Sequence, residues 1–187
     1  MPWSPEHKQQ TRDKILQSAA YLFTHNGFSK VSINQVMENA GLTRGAFYKH
    51  FDSKKELYSE AIVYGAKRIK RQRLDQEDDL SRILDLYLSK DHVNSVQDAC
   101  PLAFLVSDIA LRDEESRQSY QQILKGFIKR LAEDTGKGME TATIASILMV
   151  GGVALARAVD SPELVEQILN TAKEESKRQL LAVEEIV

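Results

Sequence analysis

One cysteine, one tryptophan, four prolines and nine glycines in 187 residues leave little material for several kinds of protein. A single thiol, Cys100, cannot build an intramolecular disulfide framework or a multi-cysteine zinc site. It suits a reducing cytosol, so a cytoplasmic chain with no metal and no cofactor is expected. Scarce glycine and proline exclude collagenous and low-complexity chains and argue against a turn-rich all-β fold. Met1 to Gln10 lacks both a basic start and an apolar run, so no secretory signal is expected. There is no metal-ligand spacing, Gly-rich phosphate loop or nucleophile triad. The four histidines (His7, His25, His50, His92) show no site-like spacing with Cys100, and no catalytic residue is expected.

What is present is enough apolar residue for a core, 42% hydrophobic beside 28% charged. The net charge of −2 conceals an asymmetry. Residues 1–73 carry 13 Lys+Arg against 6 Asp+Glu, a net of +7, and residues 74–187 carry 12 against 21, a net of −9. A basic third on an acidic body suggests an anion-binding module, with nucleic acid the obvious anion, although a solvated charged helix gives the same count.

The apolar pattern reads as helices throughout. A first helix starts at Ser4-Pro5, carries Ile15, Ala19, Leu22 and Phe23 at helical spacing, and ends at Asn26-Gly27. Ser32 and Gln35 have capping-box spacing and open a short helix that stops at Gly41. Another short helix is expected over 43–51. Ser53 and Glu56 form a second capping box, opening a long helix into the basic stretch Lys67–Arg73. Further helices are expected at about 79–90, 101–112, 113–134, 139–158 and 162–183, with essentially no sheet. Residues 142–156 are almost uninterruptedly apolar, yet too short for the roughly 20 residues of a membrane span, and no membrane partner is expected. A helix apolar on nearly every side is buried on nearly every side, which in a chain this size points to a partner subunit over one face. Gly151-Gly152 would let another helix approach there, or mark a local kink.

Function concentrates between Val31 and Leu57. Two short helices joined at Ala40-Gly41-Leu42 make a helix-turn-helix. Small Ala40 lets the helices cross, Gly41 takes the left-handed turn, Leu42 fills the corner, and Phe47 and Phe51 pin the second helix. Thr43, Arg44, Gly45, Ala46, Tyr48, Lys49 and His50 are left to face outward, toward a DNA major groove. The Arg44 fork matches guanine O6 and N7, while Gly45 and Ala46 allow close approach. Thr43, Tyr48, Lys49 and His50 have phosphate-contacting chemistry. The helix start at Ser53-Lys54-Lys55 offers N–H groups and ammoniums to a phosphate. Ser32 completes the DNA-facing set with Lys54 and Lys55.

Residues 11–57, with TRDKILQSAAYLFTHNGF, VSINQVMENAGLTRGAFYKHF and DSKKEL, resemble the DNA-binding domain of TetR/AcrR-family transcriptional repressors. The resemblance implies an all-α homodimer of about nine helices, with a three-helix helix-turn-helix domain over 1–53. It also implies an effector-binding and dimerisation domain over 54–187, the helix 54–73 linking the two. It implies DNA contacts at Thr43, Arg44, Gly45, Ala46, Tyr48, Lys49, His50 and Lys54; Lys49 departs from the aromatic residue frequent there. It further implies dimerisation through helices about 139–158 and 162–183, and release of a pseudo-palindromic operator by a small-molecule effector. The stripe Leu164, Ile168, Leu169, Ala172 agrees with such pairing.

Candidates for lining an effector pocket are Tyr64, Tyr87, Phe104, Tyr120, Leu124, Phe127 and Met149, with ordinary core packing the alternative for each. His92, Asp98, Asp108 and Arg157 are candidates for polar specificity. Cys100 precedes Pro101, so an N-cap position there would stabilise a thiolate and make the chain responsive to oxidation or electrophiles; an inert buried thiol is the alternative. A small helical enzyme and an adaptor binding an acidic protein partner are the competing classes of function.

Overall fold

A computed structural model describes residues 5–71, 77–95 and 99–181. Ser4, Asp98, and residues 72–73 and 182–183 of the expected helix ends lie outside them. Among the described residues there are eleven helices and no strand. They are α1 (Pro5–Lys30), α2 (Ile33–Asn39), α3 (Arg44–Phe47), α4 (Lys54–Ile69), α5 (Leu80–Tyr87), α6 (Lys90–Val93), α7 (Pro101–Phe104), α8 (Val106–Ile109), α9 (Glu114–Thr135), α10 (Met139–Ala156) and α11 (Pro162–Leu181).

The all-α architecture matches expectation, and the count differs from nine for local reasons. The helix expected over 79–90 stops because Leu88 leaves helical geometry (φ −94, ψ 57), and Ser89 then caps α6 by accepting from His92 N–H. The helix expected over 101–112 divides at Leu105 (φ −108, ψ 4) into α7 and α8. The helix expected over 43–51 contracts to one turn, and Lys49 and His50 continue it as turns, donating to Ala46 and Phe47 carbonyls. Near the end of α1, Gly27 breaks the helix with φ 74, so the expected stop is present and three further residues wind on beyond it. The box at Ser32 forms as expected: Gln35 N–H donates to Ser32 Oγ at 3.2 Å, and Ser32 N–H donates to Gln35 Oε1 at 2.8 Å. The second box is only half made. Ser53 Oγ accepts from Glu56 N–H, but the Glu56 carboxylate reaches one residue further back to Asp52 N–H at 2.6 Å.

Two hydrophobic cores organise the helices. The first joins α1 (Ile15, Ala19, Phe23), α2 (Val36, Met37), α3 (Phe47) and the adjoining Phe51 to α4 (Leu57, Tyr58, Ile62). It therefore extends past residue 53 and takes in Leu105 and Ile109 as well. Arg12 ties α1 to α4 by donating to Glu60 at 2.7 Å, with its guanidinium 4.5 Å from the Phe51 ring centroid. The second core gathers α5, α7, α9, α10 and α11 around Leu84, Leu88, Leu102, Met149 and Val153.

Within it, α10 and α11 form an antiparallel pair made possible by Gly152. A Cβ there would sit 2.8 Å from Ala172 Cβ and 3.0 Å from Leu88 Cδ2. Gly152 thus serves an approach inside the chain, while a Cβ at Gly151 would meet nothing within 4 Å. The apolar run of α10 is not covered all round: Ile144, Ile147 (66% exposed), and Leu155 (60%) lie open. The stripe on α11 divides in the same way. Leu169 and Ala172 are buried against α10, whereas Leu164 is exposed and Ile168 half-buried.

Candidate nucleic-acid interface and effector cavity

The corner between α2 and α3 is built by short-range bonds and one buried ring. Gly41 adopts φ 67, and the N–H groups of Gly41 and Leu42 donate to Glu38 and Met37 carbonyls at 2.9 Å. Phe47 is fully buried and stacks 5.8 Å from Phe51, which fixes the rotation of α3 about its own axis. With that face pinned inward, Thr43, Arg44, Gly45, Tyr48 and Lys49 are exposed, Tyr48 at 57%. Thr43 is the N-cap of α3, yet its side chain makes no capping bond. A Cβ at Gly45 would meet nothing within 4 Å, so the backbone there is open to close approach.

Other expected contacts sit differently. Ala46 is half-buried against the first core. His50 folds back because α3 ends at Phe47; its Nδ1 is enclosed with no hydrogen-bond partner among the described residues. Burial lowers the His50 pKa, and the positive charges of Lys8, Arg12 and Lys49 lower it further. The Ser32 hydroxyl is engaged with Gln35 in the cap, which limits what it can give a phosphate. Lys55 is exposed, whereas Lys54 is half-buried with its ammonium 4.1 Å from the Phe28 ring centroid. Burial lowers the Lys54 pKa, as does Arg112, with Asp108 opposing.

An open cleft of about 370 Å³ runs beside this face, lined by Ser29 to Asn34, Arg44 and Lys54. It adds Ser29, Lys30 and Asn34 to the interface, residues that sequence reasoning missed. The excess of basic residues marked the region, but only packing of the α1–α2 junction against α3 places Lys30 beside Arg44. A roomier open cleft of about 470 Å³ lies between α1, α2 and α4. Its Ser18 and Asn39 are engaged, Ser18 donating to Val36 O at 2.8 Å and Asn39 to Ser18 Oγ at 2.9 Å.

In the second core a cavity of about 220 Å³ opens between α4, α5 and α9. Tyr87, Cys100 and Phe127 line it as expected, together with Ile69, Leu102 and Ile123, and Lys67, Lys70 and Arg130. The remaining pocket candidates are used elsewhere. Tyr64 packs on the first core and Leu124 on the second, and Met149 is fully buried. Tyr120 donates to Leu102 O at 2.6 Å, and Phe104 lies under the Arg157 guanidinium at 3.2 Å. His92 is buried with Nδ1 2.6 Å from Tyr87 O. Cys100 does occupy an N-cap, but of a single four-residue turn, and its side chain makes no capping bond. The dipole stabilisation expected of a longer helix is correspondingly absent.

Asp108, expected as a pocket group, instead ties α8 to α1 and α4 within the first core. It accepts from the Tyr58 hydroxyl at 2.6 Å and from Phe28 N–H at 3.3 Å. Arg112 Nε lies 3.8 Å from the same carboxylate. Burial and the bond to Asp108 raise the Tyr58 pKa, so the phenol stays a donor. Thus α7 and α8 connect the cavity wall at Leu102 with the helices that carry the corner.

Comparison with known proteins agrees with this geometry. Residues 15–61 match the family model described as bacterial regulatory proteins, tetR family. The uncharacterised helix-turn-helix-type transcriptional regulator YxaF of Bacillus subtilis (strain 168) is 27% identical over 161 residues, 78% of this chain and 84% of YxaF. A TetR-family transcriptional regulator from Cytophaga hutchinsonii superposes with a TM-score of 0.76 at 17% identity, covering 98% of this chain and 100% of its own. AibR, solved in complex with isovaleryl coenzyme A and operator DNA, superposes with a TM-score of 0.61 at 17% identity, over 88% of this chain and 97% of AibR.

Proposed function

Since the chain belongs to the TetR family of bacterial regulatory proteins, we propose that it is a homodimeric, cytoplasmic repressor released from a pseudo-palindromic operator by a small molecule. Residues 1–53 act as the reading head and 54–187 as the effector-binding and dimerisation part, with α4 linking them. The observation that carries the DNA reading is the corner itself: Phe47 wholly inside, and Arg44, Gly45, Tyr48 and Lys49 outside beside the cleft of Lys30 and Lys54. Arg44 reads a base edge, and Thr43, Tyr48, Lys49 and Lys55 hold phosphates. Dimerisation uses the open apolar face of α10 and α11, Ile144, Ile147, Leu155 and Leu164. Effector binding in the cavity reaches the reading head through Leu102, α8 and the Asp108 bonds to Phe28 and Tyr58. The complex of AibR with an acyl coenzyme A and operator DNA supports the pairing of ligand and operator on one fold. No catalytic activity is part of this reading.

The test is electrophoretic mobility shift on DNA upstream of the chain's own gene. Specific retardation that Arg44→Ala weakens toward the level of random duplex supports the assignment. Equal retardation of specific and random duplex by both proteins overturns it, and the absence of any retardation favours the adaptor class. Sedimentation of Ile147→Glu checks the dimer: a monomer at concentrations where the wild type is dimeric is expected.

A second reading makes Cys100 the trigger, supported by its place in the cavity wall with Sγ 3.5 Å from the Tyr87 hydroxyl. Electrophile-induced release that persists in Cys100→Ser removes that reading and leaves reversible effector binding.

A further inference from the structure

The charged side chains lining the 220 Å³ cavity are, among the described residues, all of one sign. Lys67 and Lys70 from the end of α4 and Arg130 from α9 line it, and among the described residues no carboxylate does. Both lysines are exposed, and Arg130 is held at the rim by donating from Nε to Asp134 at 2.6 Å. The rest of the lining is largely apolar: Leu102 (4% exposed) and Ile69 are buried, and Ile123 and Phe127 are half-buried. Among the described lining residues the one hydroxyl belongs to Tyr87, whose oxygen lies 3.5 Å from Cys100 Sγ.

From this division we infer that the cavity takes an amphipathic organic acid, its carboxylate at the cationic rim and its hydrocarbon tail against Leu102, Ile123 and Phe127. The inference deepens the effector reading above and rests on it. A ligand polar along its whole length would lose its water hydrogen bonds against the apolar wall without replacement. An apolar cation would meet Lys67, Lys70 and Arg130, with Asp134 already engaged by Arg130. A carboxylate at the rim keeps contact with solvent, which avoids the desolvation cost of carrying it inside, and gains charge-assisted hydrogen bonds from the lysines. The volume sets the length: 220 Å³ lies below the ~300–1,000 Å³ of pockets for drug-sized ligands, so the tail is short, roughly eight carbons.

Titration calorimetry of the full-length protein with octanoate, 1-octanol and octyltrimethylammonium tests this, since the three share a tail and differ in head group. Octanoate is expected to bind at least about ten-fold more tightly than either of the others, the equivalent of one hydrogen bond to a charged group. Comparable affinity for all three, a preference for the cation, or no octanoate binding overturns the inference. Lys67→Glu combined with Lys70→Glu should abolish the preference for octanoate over octanol; a retained preference overturns it. If that variant fails to fold by circular dichroism, the wild type still decides: octanoate affinity should fall with added salt while octanol affinity does not, and salt-independent octanoate binding overturns the inference. Operator retardation on the same samples separates the two levels. Octanoate that binds without changing retardation upholds the ligand class and overturns operator release.

Discussion

In the corner of α2 and α3, the large apolar side chains Val36, Met37 and Phe47 are all buried, and what remains outside is Thr43, Arg44, Tyr48 and Lys49. In the pair of α10 and α11, Met149, Val153 and Leu169 are buried, yet Ile144, Ile147, Leu155 and Leu164 remain outside. The first region is complete within one chain and presents polar, hydrogen-bonding groups suited to DNA. The second has more apolar surface than its own chain covers, the face on which the proposed dimer is argued. One chain thus carries a surface finished for a polar ligand and another left for an apolar one.

The sharpest way to break the contrast is to remove the ring that completes the corner. Phe47→Ala should cost about 3–5 kcal/mol in denaturant unfolding and abolish operator retardation, because Phe47 is the fully buried side chain of α3. A loss below 1 kcal/mol would show that the corner does not depend on that ring. The Asp108 tie of α8 to α1 and α4 comes next. Asp108→Asn should cost roughly 1.5–3 kcal/mol, the range for hydrogen bonds to a charged group, measured by the same unfolding curves. A third test separates the two glycines of α10. Gly152→Ala should lose about 1–3 kcal/mol by overpacking against Ala172 and Leu88. Gly151→Ala should leave the unfolding of the single chain undiminished and show itself only in the dimer dissociation constant, by sedimentation. Equal unfolding losses in both would place the two positions on the same face.

The smallest effect concerns pH. His50 has its folded pKa lowered, so the neutral ring is favoured in the free fold. Its contribution to stability is therefore full above the unfolded value of ~6.5 and is lost as pH falls through the folded value. Phosphates brought near the ring act in the opposite direction and favour its protonation. Operator affinity should rise modestly between pH 7.5 and 5.5 in the wild type, more than in His50→Gln, by fluorescence anisotropy at constant ionic strength. Parallel profiles for the two proteins would remove His50 from the interface.

Legibility in the sequence followed the range of the interactions. The Ser32–Gln35 cap, the turn at Gly41 and the start of α7 at Pro101 rest on bonds within a few residues, and each is readable from spacing alone. Where two local choices were nearly equal, spacing misled. Glu56 reaches Asp52 in place of Ser53, and the stretch from Pro101 bends at Leu105 so that Leu105 and Ile109 can join the first core. Of the aromatic residues proposed for a pocket, Tyr87 and Phe127 line the cavity while Tyr64, Phe104 and Tyr120 do not, since an aromatic at helical spacing looks the same whether it lines a void or fills one.

By itself, then, the sequence determined the all-α class, the corner at Gly41, the outward face of Thr43, Arg44, Gly45, Tyr48 and Lys49, and the surplus of apolar residues in α10. Hydrogen bonds between near neighbours and a periodicity of 3.6 residues are properties of short segments, and they survive without knowledge of the rest of the chain. Only the tertiary structure decided that Asp108 bonds to Tyr58 and Phe28, that Lys30 sits in one cleft with Arg44 and Lys54, and that Lys67, Lys70 and Arg130 ring a single cavity. Apart from Lys67 and Lys70, both at the end of α4, those groups come from separate helices, 50 and 80 residues apart in the case of the Asp108 bonds, and the packing of whole helices against shared cores selects which of them meet.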